Sequence, residues 1–298
     1  MMEKEFSYLI TFCIGTHERP EECVDTVDKI HDKYPGAQIL VADDSKQQTV
    51  MATDCKDPVQ VQVYHLEHDI GVAAKRNWLA QNAMTDFIVM MDDDNKVTSA
   101  FDLRLMLNLL QAEPGLAVVG CRKMDQGRNR WSNAEGDFRI TKDVLYVDRP
   151  VRHAGMVDDH TWMLVDMVPM MFLGRREIVR NVGFDYRFKT CGEHMDFFLR
   201  LAFANGHRRI RRRFSNVMQD SVPEMMSPLA TTLTLFQGMA GVGFVPACYF
   251  IDTASRPVQY KKQRKRGSKY RRKMLAMWHF KDVANWNSNV KNKAIYAS

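Results

Sequence analysis

The sequence predicts an α/β protein with a Rossmann-like, mostly parallel central sheet and helices on both faces. Three observations carry this. Short apolar runs alternate with amphipathic helical stretches along the N-terminal third. One run, Phe87–Met91, is apolar throughout, as expected of a strand covered on both faces. Polar clusters directly follow three of the runs, at the carboxyl edge where such sheets bind ligands.

Each element has its own reason. Tyr8–Ile14 (YLITFCI) is rich in strand formers and ends at Thr16-His17-Glu18-Arg19. Over Glu22–Lys33, Val24, Val27, Ile30 and His31 recur at helical spacing, and Pro35-Gly36 turns the chain. Gln38–Ala42 is a second strand, closed by Asp43-Asp44-Ser45, and Val59–Leu66 alternates as a third. Gly71 opens a helix to about Met84, and Phe87–Met91 leads into Asp92-Asp93-Asp94. A helix over Asp102–Leu110 and a strand over Leu116–Cys121 follow. Residues 122–160 are polar and read as an insertion over the site, in which Trp131, His153, His160 and Trp162 beyond it are candidates to line a sugar or acceptor pocket. Asp166–Leu173 is apolar, Arg175–Asn181 a short helix and Glu193–Ala204 an amphipathic one. Met225–Ile251 has no charged residue and reads as a buried helix or helix pair, with a membrane-associated segment as the alternative. The expected division is a catalytic domain over 1–225 and a helical, basic extension over 226–298.

The 298 residues are 45% hydrophobic and 26% charged, which suits a globular protein with a large core. Six irregularly spaced cysteines without a CxxC pair argue against a zinc site or a disulfide framework, and no signal or anchor segment is recognisable. The expectation is a cytoplasmic protein, in a bacterial host if the source is viral. Nine Lys/Arg and no acid fall within residues 260–273, and without them the +6 net charge becomes slightly negative.

Three consecutive carboxylates repel one another, and a divalent cation such as Mn²⁺ or Mg²⁺ relieves that. Such a cation would neutralise a departing diphosphate; an acidic turn is the plainer alternative. Asp43-Asp44 suits a base or ribose ligand, or a turn cap. Gly71 with Lys75 and Arg76 at a helix start suits a diphosphate, or an ordinary surface helix. Glu193, His194 and Asp196 supply candidate bases for taking a hydroxyl proton, or acids favouring a helix N-terminus.

The ordered segments TFCIGTHERP, VADDS, GVAAKRN, FIVMMDDDN and GFDYRF…GEHMDFFLRL resemble the family 2 glycosyltransferases of GT-A fold. Their spacing is similar to that of the ganglioside N-acetylgalactosaminyltransferases. The resemblance covers about residues 6–221. It implies an inverting transferase with a nucleotide-sugar donor, most simply a UDP-sugar. Thr16, Glu18 and Asp44 would hold the nucleotide, with Arg19, Asp43, Gly71, Lys75, Asp92 and Asp93 beside it, and Arg76 would fix the donor. Asp92 and Asp94 would form the metal motif, with Asp220 as a third candidate ligand in a segment that lacks the family's neighbouring His. Where the family carries its base Asp, this chain has His194, which leaves Glu193, His194 and Asp196 as candidates, Glu193 favoured.

The acceptor is not encoded in those motifs. The basic segment 260–273, with Tyr260 and Tyr270 inside it and Trp278 and Trp286 after it, suits nucleic acid, such as a hydroxymethylated base in viral DNA. Alternatives are an anionic membrane surface, for an enzyme building surface glycan or glycolipid, and a solvated tail. A nucleotide-binding module without catalysis is the non-enzymatic alternative.

Overall fold

A computed structural model describes residues 8–48, 50–132, 134–208, 210–211, 238–253 and 267–285. Asp220, Tyr260, Trp286 and residues 260–266 of the basic segment lie outside these.

The expected α/β architecture is present. The first strands are β1 (Ile10–Thr16), β2 (Gln38–Asp43), β3 (Val61–His65) and β4 (Phe87–Asp92), with α1 (Pro20–Lys33) and α2 (Val72–Asn82) between them. β1 pairs in parallel with both β2 and β4, and β2 with β3. Each β4 residue alternates between two cores. Ile88 and Met90 face the one built with Ala73 and Leu79 of α2, while Phe87, Val89 and Met91 face the one built with Val27 and Ile30 of α1. This two-sided burial explains the unbroken apolar run.

The chain continues through β5 (Asn95–Val97), α3 (Leu103–Ala112), β6 (Leu116–Asp125), β7 (Arg130–Trp131), and the β8 (Asp137–Thr141) and β9 (Val144–Asp148) hairpin. Next come β10 (His153–Val157), β11 (His160–Val165), β12 (Phe172–Arg175), α4 (Arg176–Val182) and α5 (Glu193–Ala204). The main order is β10-β11-β13-β6-β12-β4-β1-β2-β3, where β13 is Gly241–Asp252. β12 is antiparallel to β4 and β6, so β6 runs with β4, and β13 is parallel to β6. The carboxyl ends of β1, β2, β4, β6 and β13 therefore share one edge, and the acid triplet lies on it.

One expectation is corrected. Over 241–251 the uncharged stretch is a strand of the central sheet, not a helix. Val242, Phe244, Val245 and Phe250 are buried, and the β6 register jumps between Val245 and Tyr249, so Pro246 sits in an irregularity where a missing N–H costs no ladder bond. No helix among the described residues is long and apolar enough to cross a membrane. The proposed boundary at 225/226 lies outside the described residues, but β13 places part of the second segment inside the sheet of the first. The described part of the extension beyond β13, residues 267–285, is also packed down. Helix α6 (Gly267–Met277) buries Met274 and Leu275, and β14 (Asp282–Asn285) runs parallel to β9 in a three-stranded sheet with β8. All six cysteines are free.

Candidate active site

An open cleft lies at the shared strand edge. Gly15, Asp44, Gly71, Lys75, Arg76, Asp92 and Glu193 line it. These come from the ends of β1, β2 and β4 and the starts of α2 and α5.

Asp44 is the most heavily bonded acid. Its carboxylate accepts from Nδ1 of His17 at 2.8 Å, Nζ of Lys75 at 2.6 Å and the Gly71 backbone N–H at 3.0 Å. Burial works against its charge, but these donors and the Lys75 cation outweigh it and hold the carboxyl well below its usual range. Lys75 also donates to the Thr16 carbonyl at 2.6 Å. The start of α2 is thus tied to the ends of β1 and β2. Gly71 has φ +99°, and a Cβ there would fall 2.8 Å from Cα of Lys189. Only glycine lets α2 meet the 189–190 segment this closely, where Val72 N–H donates to the Lys189 carbonyl at 2.9 Å. Asp43, expected at the ligand, instead shapes the turn: its Oδ1 accepts from the Ser45 N–H at 2.9 Å, and it is fully buried. Glu18 accepts from the Lys46 N–H at 2.7 Å on the outer side of that turn.

The triplet divides by direction. Asp93 points inward and is fully buried, bonded by Thr16 Oγ1 at 2.6 Å and paired with Arg19. Burial raises its carboxyl to about 7, with Arg19 opposing and Asp94 and Asp92 adding to the rise. Thr16, Arg19 and Asp93 thus brace one another, and Thr16 and Asp93, expected beside the nucleotide, are not among the residues that line the cleft. Arg19 borders the cleft but also holds Asp94 at 2.8 Å. Asp92 faces the cleft with a third of its side chain exposed. Its Oδ1 accepts from Arg76 at 2.7 Å, and this cation, against burial, keeps the carboxyl low. Burial pushes Asp94 upward, with Asp92 and Asp252 adding repulsion and Arg19 opposing.

Asp92 and Asp94 suit a hard divalent cation in kind. They are carboxylates flanking one turn, the Asp92 Oδ2 is left over by Arg76, and Asp94 is crowded by like charge. No cluster of three His, Cys, Asp or Glu side chains fit for a metal occurs among the described residues.

The three candidate bases separate clearly. Glu193 lines the cleft, with Oε1 accepting from Arg76 at 2.8 Å and Oε2 buried without a partner. Arg76 thus bridges Asp92 and Glu193 from a site only 3% exposed. His194 turns the other way, donating from Nε2 to the Val168 carbonyl at 2.8 Å and packing edge-on against Phe198. Burial pushes its pKa down to about 4, so the ring is neutral near pH 7. Asp196 is fully buried between Nε of Arg200 at 2.7 Å and the Trp278 indole N–H at 2.8 Å. It is a structural acid, outside the cleft lining.

Sequence reasoning passed over His17, Asp69, Lys189 and Thr190 of the cleft. His17 stood within the THER cluster, while Lys189 and Thr190 gave no signal beyond preceding Gly192-Glu193. Among the pocket candidates of the insertion, Trp162 is core, His160 and Trp131 are exposed, and the His153 side chain is not described.

The family model for glycosyl transferase family 2 matches residues 11–183, more than half of the chain. The chain belongs to glycosyl transferase family 2. Its resemblance to the N-acetylgalactosaminyltransferases holds as well. Beta-1,4 N-acetylgalactosaminyltransferase 1 of Mus musculus is 27% identical over 202 residues, 66% of this chain and 36% of that protein. The same enzyme of Homo sapiens is 26% identical over 202 residues, 65% and 36% of the two chains. The chain thus spans about a third of the length of the curated relatives it matches. A crystal structure of GalNAc-T7 with UDP, GalNAc and Mn²⁺ aligns with TM-score 0.49 and 14% identity, covering 83% of this chain and 44% of that one.

Proposed function

We propose that the cleft transfers a sugar from a nucleoside diphosphate sugar, a UDP-sugar in the simplest case, to an acceptor hydroxyl with inversion at the anomeric carbon. One observation carries this reading: Glu193 lines the cleft with its buried Oε2 lacking a hydrogen-bond partner among the described residues, while Arg76 ties its other oxygen to Asp92. A carboxylate fixed at one oxygen and open at the other can take a proton from a hydroxyl placed beside it. The acceptor oxygen then bonds to the anomeric carbon as the bond to the diphosphate breaks on the opposite face. Lys75, Arg76 and Lys189 border the cleft and offer positive charge where the diphosphate gathers its negative charge. Asp44, already bonded to Gly71 and His17, holds the nucleotide end of the cleft in shape. A bound Mn²⁺ or Mg²⁺, held by Asp92 and Asp94, would supply Lewis acidity for the leaving group.

For the acceptor, we favour nucleic acid, with a hydroxymethylated base of viral DNA as the specific candidate. The support is the exposed basic face of α6, with Lys269, Arg271, Arg272 and Lys273. The rest of that segment, residues 260–266, lies outside the described residues.

The test is a donor screen with oligonucleotides carrying hydroxymethylated pyrimidines, read by mass spectrometry with and without Mn²⁺. The expected result is a metal-dependent mass gain of one sugar, lost in Asp94→Asn. Sugar transferred only to glycan or glycolipid acceptors would overturn the nucleic-acid half. No turnover of any nucleotide sugar, even by hydrolysis, would overturn the enzymatic reading in favour of a binding module.

A further inference from the structure

The carboxyl end of strand β6 stays paired with β13 and folds back through β7 as a hairpin, Arg122 to Trp131. Because β6 runs with β4, this hairpin leaves the sheet on the same side as the acid triplet. Its root is bonded to that turn. Asp252 of β13 lies in register with Asp125 on one side and Asn95 on the other, and the next residue, Thr253, donates its N–H to the Asp94 carbonyl at 3.0 Å. Lys123 pairs with Asp252 at 2.5 Å.

The composition of the hairpin is unusual for a surface loop. Arg122, Lys123, Arg128 and Arg130 face a single acid, Asp125. Arg130 has no ion-pair partner among the described residues, and Arg128 reaches Asp125 only at 3.7 Å. Trp131 is held in a fixed orientation. The Arg122 guanidinium sits 4.0 Å from its ring centroid, and the Tyr249 ring meets it edge-on at 5.4 Å. The residue is still 36% exposed.

We propose that this hairpin is an acceptor-binding arm for nucleic acid, in which Trp131 stacks an unpaired base and Arg128 and Arg130 hold the flanking phosphates. The proposal rests on the acceptor reading above and assigns residues to it. A pre-oriented indole gives stacking area at little entropic cost, and every base has a face to stack. The Arg130 guanidinium, and that of Arg128 beyond its long contact with Asp125, suit phosphate oxygens. A membrane surface fits less well, because the hairpin tip, Gln126-Gly127-Arg128-Asn129, has no apolar side chain to insert. A neutral glycan would use the tryptophan and leave the cations idle. The element packed beside Glu193 is also basic. Helix α6 packs on Gly192, where a Cβ would come 3.3 Å from Cβ of Met274, and Glu193 is the next residue. Exposed Lys269, Arg272 and Lys273 of α6 have no ion-pair partner among the described residues. A polyanion lying across the cleft would meet positive charge near both Asp94 and Glu193.

The test uses the full chain and a fluorescent single-stranded oligonucleotide of roughly 20 nucleotides, longer than one such site spans. Anisotropy is measured at about 50 and 200 mM salt. Trp131→Ala is expected to weaken binding roughly 5- to 150-fold, the range for one stacked base, with an unchanged salt slope. Trp131→Phe should recover most of the loss, which separates stacking from misfolding. The double variant Arg128→Ala, Arg130→Ala should reduce the slope of log affinity against log salt by about 2. Acceptor-free hydrolysis of the UDP-sugar should stay at wild-type level in all of them. Wild-type affinity and salt slope in these variants, or an equal loss on phosphatidylserine vesicles, would overturn the arm. If oligonucleotide binding responds as expected while the wild type hydrolyses no nucleotide sugar, the arm stands and the catalytic reading fails.

Discussion

Replacing Lys75 by Met removes one cation while keeping most of the side-chain volume, and the structure sets the cost. Lys75 and Asp44 are both nearly solvent-free, with side chains 6% and 2% exposed. Removing one member of a buried pair typically costs about 3–5 kcal/mol, because the remaining charge is stranded. Asp44 keeps His17 and the Gly71 N–H, so the lower end applies, about 3 kcal/mol. For a domain of this size that lowers Tm by roughly 6–12 °C, at about 2–4 °C per kcal/mol. The pH dependence has a definite sign. The folded Asp44 carboxyl lies below its unfolded value, so its contribution is present above about pH 4 and is lost as pH falls toward the folded value. The gap between wild type and Lys75→Met should therefore narrow by about 1 kcal/mol between pH 7 and pH 3. Thermal unfolding by calorimetry across that range measures both quantities. A variant within 2 °C of wild type at pH 7 (roughly 1 kcal/mol or less by the same scaling), or a gap that widens in acid, would refute the argument that Lys75 compensates Asp44.

Other substitutions discriminate among roles. Gly71→Ala must hold an L-residue at φ +99° with its Cβ against the Lys189 backbone; a loss of about 2–3 kcal/mol, together with a raised KM for the donor, is expected from unfolding and kinetic measurements. Trp278→Phe leaves Asp196 short of one buried hydrogen bond; it should cost about 1–3 kcal/mol in stability and leave kcat within a few-fold. His194→Gln should leave turnover within about tenfold, far from the 10²–10⁴ of a lost general base, because the ring points at the Val168 carbonyl and not into the cleft. A loss of a thousandfold or so in its steady-state kcat, on the scale of that base effect, would instead make His194 the base.

The part of the fold that sequence showed was the part where local pattern and burial agree. β1, β2 and β4 are covered on both faces, so their apolar runs stand out, and the acids that end them fall on the ligand edge by topology. β13 did not stand out, because its glycines and Pro246 interrupt a strand pattern; they are tolerated through close packing on Gly115 and Leu116 and through the register shift before Tyr249. β12 is four residues long and opposed to its neighbours, which no periodicity announces. In the site, Asp44, Lys75, Arg76, Asp92 and Glu193 were legible by position. The inward turn of Asp93 was not, because it depends on Arg19 and Thr16 arriving from β1. The same holds for Asp196, whose partner Trp278 is supplied by the end of the chain.

The account turns on Glu193, and Glu193→Gln tests it most directly. The amide keeps an oxygen for Arg76, so UDP affinity measured by calorimetry should remain within a few-fold of wild type. Sugar transfer, followed as UDP release with acceptor present, should fall by about 10²–10⁴. A folded Glu193→Gln variant that binds UDP and transfers sugar at the wild-type rate would contradict the assignment of this cleft and of its base.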